Sequence, residues 1–345
     1  MRGSNNRLKV GIIGTGYISE YHAEGYLEIP EKVEIVATCD AVESLAREKM
    51  ISWGAKRYYT DYNDLFKHEE LDIVDICLPH HLHKDAVIKA AEAGMNIILE
   101  KPIARTMEEA EEMIKSVKKA GVKFMVSYNE RFLPHHQEAK MLLEKGVIGK
   151  LKMITGSLYG TLPSETLRGW RGSKEKSGGG VLIDSGGHRV DLMRWMAGEV
   201  DTLFCQTSRV LFEEYEAEDT AFLLMNFKNG AIGQLNVSWG VKGALWTANW
   251  NETLMLCGTK GTIVCDNLTN SLMVYSDELP EDFKSFVIKR YWTNYFESIK
   301  SAVKHFVDCV INDKMPLISG EDGKAVLQII LRAYESAEKG KVLKV

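Results

Sequence analysis

From Leu8 to Val126 the chain alternates between short apolar runs and segments with helical spacing. Met107–Ala120 is a clear example of the helical segments, because its glutamates come first and its lysines last, as the helix dipole favours. Apolar strands that alternate with helices are typical of a parallel sheet covered on both faces. The N-terminal part is therefore predicted to be an α/β domain with a doubly wound parallel sheet. Its predicted strands are Leu8–Ile13, Val33–Cys39, Ile73–Leu78, Met95–Leu99 and Val122–Val126.

After Lys150 the rhythm changes, and strand-like segments follow one another without intervening helices. Asn229-Gly230, between two of these segments, is a strong hairpin signal. The second part is therefore predicted to be an α+β domain with a large, mostly antiparallel sheet. Its expected helices are Gly186–Ala197, Tyr291–Asn312 and Gly320–Lys339.

The length of 345 residues favours two domains. We place them at residues 1–126 and 127–345, with the late helices able to pack back on the first domain. Lysines and arginines number 43 against 48 aspartates and glutamates, a net charge of −5, so neither nucleic acid nor a membrane is an expected partner. No signal-peptide pattern opens the chain. None of the six cysteines forms a CxxC pair, which indicates free thiols in a cytoplasmic protein.

A glycine loop, Gly14-Thr15-Gly16, lies between the first strand and the first helix. Glycines there allow a tight turn and a close approach of backbone N–H groups to a pyrophosphate. Ser19 occupies the third position of the G-x-G-x-x-G pattern, which is a departure from it. Asp40 ends the second strand, where its carboxylate can accept ribose hydroxyls and repel a 2′-phosphate, so the predicted cofactor is NAD rather than NADP. The alternative role for Asp40 is the N-cap of the next helix.

Polar residues follow the later strands, at the edge where open parallel sheets bind ligands. Neighbouring histidines such as His80 and His81 rarely converge on one ion, and no other ligand joins them at suitable spacing, so no metal site is predicted. Pro102 fixes φ and removes a donor, which should hold Lys101 at the end of its strand. Glu100 has three possible roles: partner of Lys101, backbone contact or cofactor ribose ligand.

The second part carries the motif Gly178-Gly179-Gly180, followed by Asp184 and His188 four residues apart. On a helical path these two side chains share one face. A carboxylate that accepts from one imidazole nitrogen orients the ring and leaves the other nitrogen to take a proton, which is the equipment of a general base. The alternative is a capped amphipathic helix with a surface histidine. Asp191 is expected to pair with Arg194 or to cap the helix locally.

In combination, these motifs resemble those of the Gfo/Idh/MocA oxidoreductase family, named for glucose–fructose oxidoreductase, inositol dehydrogenase and a rhizopine-catabolism protein. The resemblance covers essentially the whole chain. It implies a Rossmann domain, then a domain with a large open sheet through which homodimers or homotetramers form. It also implies hydride transfer between a pyridine nucleotide and a secondary hydroxyl or keto carbon of a sugar or cyclitol. The residues that carry it are Gly14, Gly16, Asp40, Glu100-Lys101-Pro102, Asn129, Arg131-Phe132, Gly178–Gly180, Asp184, His188 and Asp191.

By this resemblance, the family's catalytic lysine falls on Lys101, and its aspartate and histidine fall on Asp184 and His188. His188 would be the general base, Asp184 would orient its ring, and Lys101 would stabilise the alkoxide. Ser19 replaces a family glycine and is expected to loosen helix–strand packing mildly. Because all three catalytic residues are present, we prefer a dehydrogenase to an NAD(H)-sensing regulator. An NAD-dependent glycosidase of the same superfamily, which would retain its cofactor and show no net reduction, is the other alternative.

Two sets of binding residues are predicted from these patterns. Aromatic faces suit the C–H surfaces of sugars, and arginines suit anionic groups. Arg168 is a further substrate candidate, and Trp246 and Trp250 are expected either to contact substrate or, as the preferred alternative, to lie in the core or at a subunit interface. The predicted cofactor residues are Gly14, Gly16, Tyr17, Ile18, Asp40, Pro79, His83, Glu100 and Lys101. The predicted substrate residues are Tyr128, Arg131, Trp170, Arg171, Asp184 and His188.

Overall fold

The computed structural model describes residues 7–162, 164–167, 169–212, 215–241, 250–278 and 287–345. The chain divides into two compact units. The first comprises the described residues up to Asn129 together with Phe296–Lys324, and the second comprises Glu130–Tyr295 and Ala325–Val345. None of the helices in the described ranges is long and apolar enough to cross a membrane.

A parallel sheet forms the centre of the first unit. Its strands lie in the order β3-β2-β1-β4-β5-β6, and the pairings that define it are all parallel. Their side chains are mostly buried on both faces, as expected when helices cover both sides of a sheet. The predicted parallel sheet is therefore confirmed. The strands are Leu8–Ile13 (β1), Val33–Cys39 (β2), Arg57–Tyr59 (β3), Ile73–Ile76 (β4), Asn96–Leu99 (β5) and Phe124–Val126 (β6).

Capping residues mark both ends of one helix in the first unit. In the helix Met107–Ala120, the Thr106 hydroxyl accepts a hydrogen bond from the Glu109 N–H at 3.2 Å, and Gly121 ends the helix at a φ of 69°. The helices between the strands are Ser19–Leu27 (α1), Glu43–Ser52 (α2), Tyr62–His68 (α3), His83–Glu92 (α4) and Met107–Ala120 (α5).

A mixed, mostly antiparallel sheet forms the second unit. The described strands lie in the order β14-β13-β12-β11-β7-β10-β9-β8-β15, and the pair β7–β10 is parallel. The antiparallel prediction is confirmed, and Asn229-Gly230 makes the predicted turn between β9 and β10. The strands are Leu151–Gly160 (β7), Val200–Ser208 (β8), Thr220–Phe227 (β9), Ile232–Ser238 (β10), Trp250–Gly258 (β11), Gly261–Asp266 (β12), Ser271–Ser276 (β13), Val287–Arg290 (β14) and Leu343–Lys344 (β15).

One helix, Gly186–Ala197, packs on the inner face of this sheet and has the predicted bounds. Its Met193 sulfur and methyl lie against Gly156 and Gly233, where a Cβ would lie within 3.3 Å of the methionine. Small residues on the sheet therefore let the helix approach closely. The helices after β6 are Pro134–Glu144 (α6), Ser164–Leu167 (α7), Lys174–Ser177 (α8), Val181–Asp184 (α9), Gly186–Ala197 (α10), Tyr295–Ile311 (α11) and Gly320–Lys339 (α12).

Candidate active site

The glycine loop of the first unit is built as the cofactor prediction requires. Gly14 has a φ of 85°, and a Cβ there would lie 2.4 Å from the Cys77 carbonyl oxygen, so glycine is needed for the tight turn. A Cβ at Gly16 would meet no atom within 4 Å, which leaves the outer side of the loop open to a ligand. The loop leads into the N-terminus of α1, where backbone N–H groups favour an anion. These features fit a dinucleotide.

The residues around the loop are held by side chains. Asp40 Oδ2 accepts hydrogen bonds from Thr15 N at 2.8 Å and Thr15 Oγ1 at 3.1 Å, and Oδ1 accepts from Val42 N at 2.9 Å. Asp40 is not the N-cap of α2, because that helix begins at Glu43 after Val42. The buried Ser19 donates its hydroxyl to the Gly16 carbonyl at 2.6 Å, which ties the helix to the loop where the sequence led us to expect looser packing.

The run Glu100-Lys101-Pro102 follows β5 directly, as predicted, and its Lys101-Pro102 peptide bond is cis. Glu100 has a partner that the sequence analysis did not include, because its Oε1 accepts from His22 Nε2 at 3.1 Å. Lys101 is half-buried at the strand end.

His83 was predicted to bind the cofactor, but its side chain contacts the backbone. It is fully buried, and its two ring nitrogens lie 2.9 Å from the Pro102 carbonyl oxygen and 2.8 Å from the Leu78 carbonyl oxygen. Burial lowers the pKa of His83. Both nitrogens therefore face backbone rather than a cofactor, and His83 braces the loops after β4 and β5. Of the other predicted cofactor residues, Tyr17 is exposed, and Ile18 and Pro79 are half-buried beside these loops.

In the second unit, two of the three glycines of the motif closely approach protein groups. A Cβ at Gly180 would lie 1.8 Å from the Glu218 carbonyl oxygen, and one at Gly179 would lie 2.3 Å from the Tyr334 hydroxyl. The Glu218 carboxylate accepts from Gly180 N and Leu182 N, both at 3.0 Å, and from Tyr334 Oη at 2.8 Å. Glu218 therefore fixes the start of α9.

Several predicted substrate residues of this unit contact neighbouring side chains. His188 Nε2 lies 3.2 Å from the Tyr295 hydroxyl oxygen. Asp184 Oδ2 accepts from Arg171 Nε at 2.9 Å, and the Arg171 guanidinium lies over the Trp170 ring at 4.4 Å. The structure thus brings Trp170, Arg171 and Asp184 together, with an aromatic face and a cation beside a carboxylate.

Arg131, another predicted substrate residue, lies in a buried ion pair with Asp191. Its buried guanidinium makes two hydrogen bonds to the Asp191 carboxylate, at 2.7 and 2.6 Å, so the substrate contact predicted for Arg131 is not supported. Asp191, for which a pair with Arg194 or a local cap was expected, pairs with Arg131, and Arg194 pairs with Glu199. A bidentate pair between two buried groups is geometrically specific, and it fixes α10 against the segment that follows β6.

A second buried ion cluster holds the same helix. The fully buried Arg189 contacts both Glu130 and Glu252. The pKa of Glu130 is raised to about 8. Burial is the largest cause and the neighbouring Glu252 carboxylate adds to it, whereas Arg189 lowers the pKa. Arg189 and Asp191 thus anchor α10 on both sides of Val190, close to His188.

The remaining predicted residues are less informative. Tyr128 is fully buried, and Trp250 is the first residue of β11. Arg168 and Trp246 lie outside the described residues. No local spacing in the sequence indicates His22, Glu218, Tyr295 and Arg189, because their partners are distant along the chain.

The geometry of both units matches one family. The model "Oxidoreductase family, NAD-binding Rossmann fold" matches residues 8–128, and the model "GFO/IDH/MocA C-terminal domain" matches residues 136–264. The chain belongs to the Gfo/Idh/MocA oxidoreductase family and has its NAD-binding fold.

Particular relatives agree over nearly the full length. The chain is 29% identical to myo-inositol 2-dehydrogenase of Thermotoga maritima, with 98% of each chain covered. It is 26% identical to scyllo-inositol 2-dehydrogenase (NAD(+)) of Bacillus subtilis, over 97% of this chain and 95% of that protein. Among solved structures, levoglucosan dehydrogenase in complex with NADH and levoglucosan matches with a TM-score of 0.92 at 27% identity, over 99% of this chain and 100% of that chain.

Proposed function

We propose that the protein is an NAD-dependent dehydrogenase that transfers a hydride between NAD(H) and a secondary hydroxyl or keto carbon of a cyclitol or sugar. The observation that carries this proposal is the second-unit motif, in which His188 contacts the Tyr295 hydroxyl and Asp184 contacts Arg171. The relatives support it, because those named above are dehydrogenases of inositols or of an anhydrosugar.

In this proposal each residue has a separate task. His188 takes the proton of the reacting hydroxyl through its imidazole, as a general base. Asp184 stabilises the imidazolium that results and keeps the ring oriented. Lys101 donates to the same oxygen and stabilises its developing negative charge. Trp170 offers an apolar face to the C–H surface of the ring, and Arg171 positions Asp184.

The cofactor would be held by the glycine loop and its neighbours: Gly14, Gly16, Tyr17, Ile18, Asp40 and Pro79. When bound, NAD supplies the nicotinamide carbon that accepts the hydride.

A spectrophotometric screen tests this function. Purified full-length protein is incubated with NAD and a panel of inositols, anhydrosugars, aldoses and uronates, and the absorbance of reduced nicotinamide is recorded. We expect turnover within about 1–10³ per second for at least one secondary alcohol. Binding of NAD without any reduction would favour the sensing regulator. Glycoside cleavage without net NADH would favour the glycosidase.

The cofactor preference is tested at Asp40. The Asp40 carboxylate should repel the 2′-phosphate of NADP. Asp40→Asn is therefore expected to lower the ratio of kcat/KM with NAD to kcat/KM with NADP by about 10-fold, equivalent to about 1.4 kcal/mol. Asparagine keeps an oxygen acceptor for Thr15 or Val42, so the loop should stay folded. The measurement is kcat/KM for both cofactors. The control is Asp64→Asn on α3, which removes an equal charge at an exposed position and should leave the NAD to NADP ratio of kcat/KM unchanged. The same ratio in both variants would contradict the role of Asp40.

We also propose that the outer face of the second-unit sheet forms a homodimer or homotetramer. Phe222, Leu224 and Ile232 on neighbouring strands β9 and β10 are 51%, 57% and 55% exposed. An apolar cluster of this kind is typical of a protein–protein interface. The double substitution Phe222→Glu, Leu224→Lys is expected to give monomers in light-scattering measurements of molar mass. Lys115→Glu on α5 is the control, and an unchanged mass in the sheet variant would refute this interface.

A further inference from the structure

His22 on α1 is a fully buried histidine held between two carboxylates. Its Nδ1 lies 2.9 Å from Asp75 Oδ2 and its Nε2 lies 3.1 Å from Glu100 Oε1. The side chains of His22 and Asp75 are 0% exposed and that of Glu100 is 10% exposed. Asp75 Oδ2 accepts a further hydrogen bond from Tyr26 Oη at 2.9 Å. The three groups come from α1, β4 and the end of β5.

The chemistry of these contacts defines the charge of His22. An ionised carboxylate only accepts hydrogen bonds, whereas a neutral imidazole donates through one nitrogen alone. Donation to both carboxylates therefore requires an imidazolium. Burial by itself would lower the pKa of His22, but the charge of Asp75 outweighs it and the pKa lies well above the usual value. Burial by itself would raise the pKa of Glu100, but the hydrogen bond from His22 brings it below the usual value.

Glu100 is the residue immediately before Lys101, and its charge acts on Lys101. The two oxygens of a carboxylate in that position can accept from the His22 imidazolium and from the neighbouring ammonium. In the structure Glu100 Oε1 is committed to His22. We propose, on the basis of the proposed function, that His22 is a positioning residue that keeps Glu100 turned toward α1, so that the Lys101 ammonium acts on the substrate oxygen.

The other titratable groups that face this cluster are Tyr26, Cys77, His83 and Lys101. Burial raises the pKa of the Tyr26 hydroxyl and of the Cys77 thiol, so both stay neutral. Burial lowers the pKa of His83, and its two ring nitrogens face backbone carbonyls rather than Glu100. His22 hydrogen-bonds Glu100 and Lys101 acts on it through its charge, so removing His22 leaves the charge of Lys101 acting on Glu100.

The test combines His22→Gln with the double variant His22→Gln, Glu100→Gln. In the single variant Glu100 turns to Lys101 or takes up a proton, so kcat should fall about 10-fold or more and its pH profile should gain a new limb. The double variant has no carboxylate at position 100. Part of the lost kcat should therefore be recovered, and the new limb of the pH profile should disappear. His305→Gln, at another histidine of the first unit, should leave the pH profile unchanged.

A measurement independent of activity completes the test. Nitrogen-15 NMR of the histidine rings should show both nitrogens of His22 protonated at pH 8, because each faces a carboxylate oxygen. A neutral His22 ring, or a His22→Gln enzyme with the kcat and pH profile of the wild type, would overturn this inference alone. Absence of turnover by the wild type would instead refute the proposed function and the role of Lys101 with it, whatever the NMR shows.

Discussion

Replacing His188 with asparagine is expected to lower kcat by about 10²–10⁴-fold, because removal of a general base costs about that much. Asparagine keeps a polar side chain at this position, although it is too short to replace Nε2 against the Tyr295 hydroxyl, and it cannot take up a proton at neutral pH. The folded structure and NAD binding should therefore be retained. The acid limb that an ionising base gives to kcat/KM should also be lost. The measurements are steady-state kinetics over pH 5–9 and NAD binding by fluorescence.

The matched control is His68→Asn, an equivalent change at an exposed position of α3. It should leave kcat, KM and the pH profile unchanged. Lys101→Met should give a loss comparable to that of His188→Asn, because it removes stabilisation of the same oxygen. Turnover of His188→Asn within a few-fold of the wild type would exclude His188 as the base.

Asp191→Ala should destabilise the protein by about 3–5 kcal/mol, because it leaves the Arg131 guanidinium buried without its carboxylate. The side chains of Arg131 and Asp191 are only 3% and 1% exposed, so water cannot replace the lost partner. The double substitution Arg131→Met, Asp191→Leu removes both charges and should recover most of this loss. The measurement is the midpoint of denaturant unfolding at constant slope.

An ion pair at the other end of α10 supplies the control. Glu199, the partner of Arg194, has a side chain that is 52% exposed, so Glu199→Ala should cost no more than about 1 kcal/mol. An Asp191→Ala protein as stable as Glu199→Ala would show that the buried pair does not anchor the helix. That result would contradict the structural role of Arg131.

Local patterns predicted the fold wherever burial follows the period of the element. The strands β1, β2 and β5 are continuous apolar runs, and α10 lies between recognisable boundaries. α6 was missed because its buried face consists of His135, His136 and Ala139, so hydrophobic periodicity does not reveal it. The amphipathic pattern of α11 predicts a buried face but does not specify which unit that face packs against.

The candidate site shows the same division between local and distant information. Lys101 and His188 were found because each belongs to a compact motif. The pairing of Arg131 with Asp191 spans 60 residues, and that of His22 with Glu100 spans 78. From sequence alone the near neighbour Arg194 was the more natural partner of Asp191, since residues three apart share a helix face. Burial decides between such partners, and burial is set by the whole fold.

The return of Phe296–Lys324 to the first unit has a consequence for the order in which the protein is made. Val126 N at the sheet edge donates to the Ile318 carbonyl at 3.3 Å, and Gly25 of α1 lies against Val303 of α11. A nascent chain that has only reached the end of β6 therefore has an uncovered strand edge and an uncovered helix face. Domains generally fold from the N-terminus during synthesis. Here the nucleotide-binding unit is completed only after the segment up to Lys324 has left the ribosome.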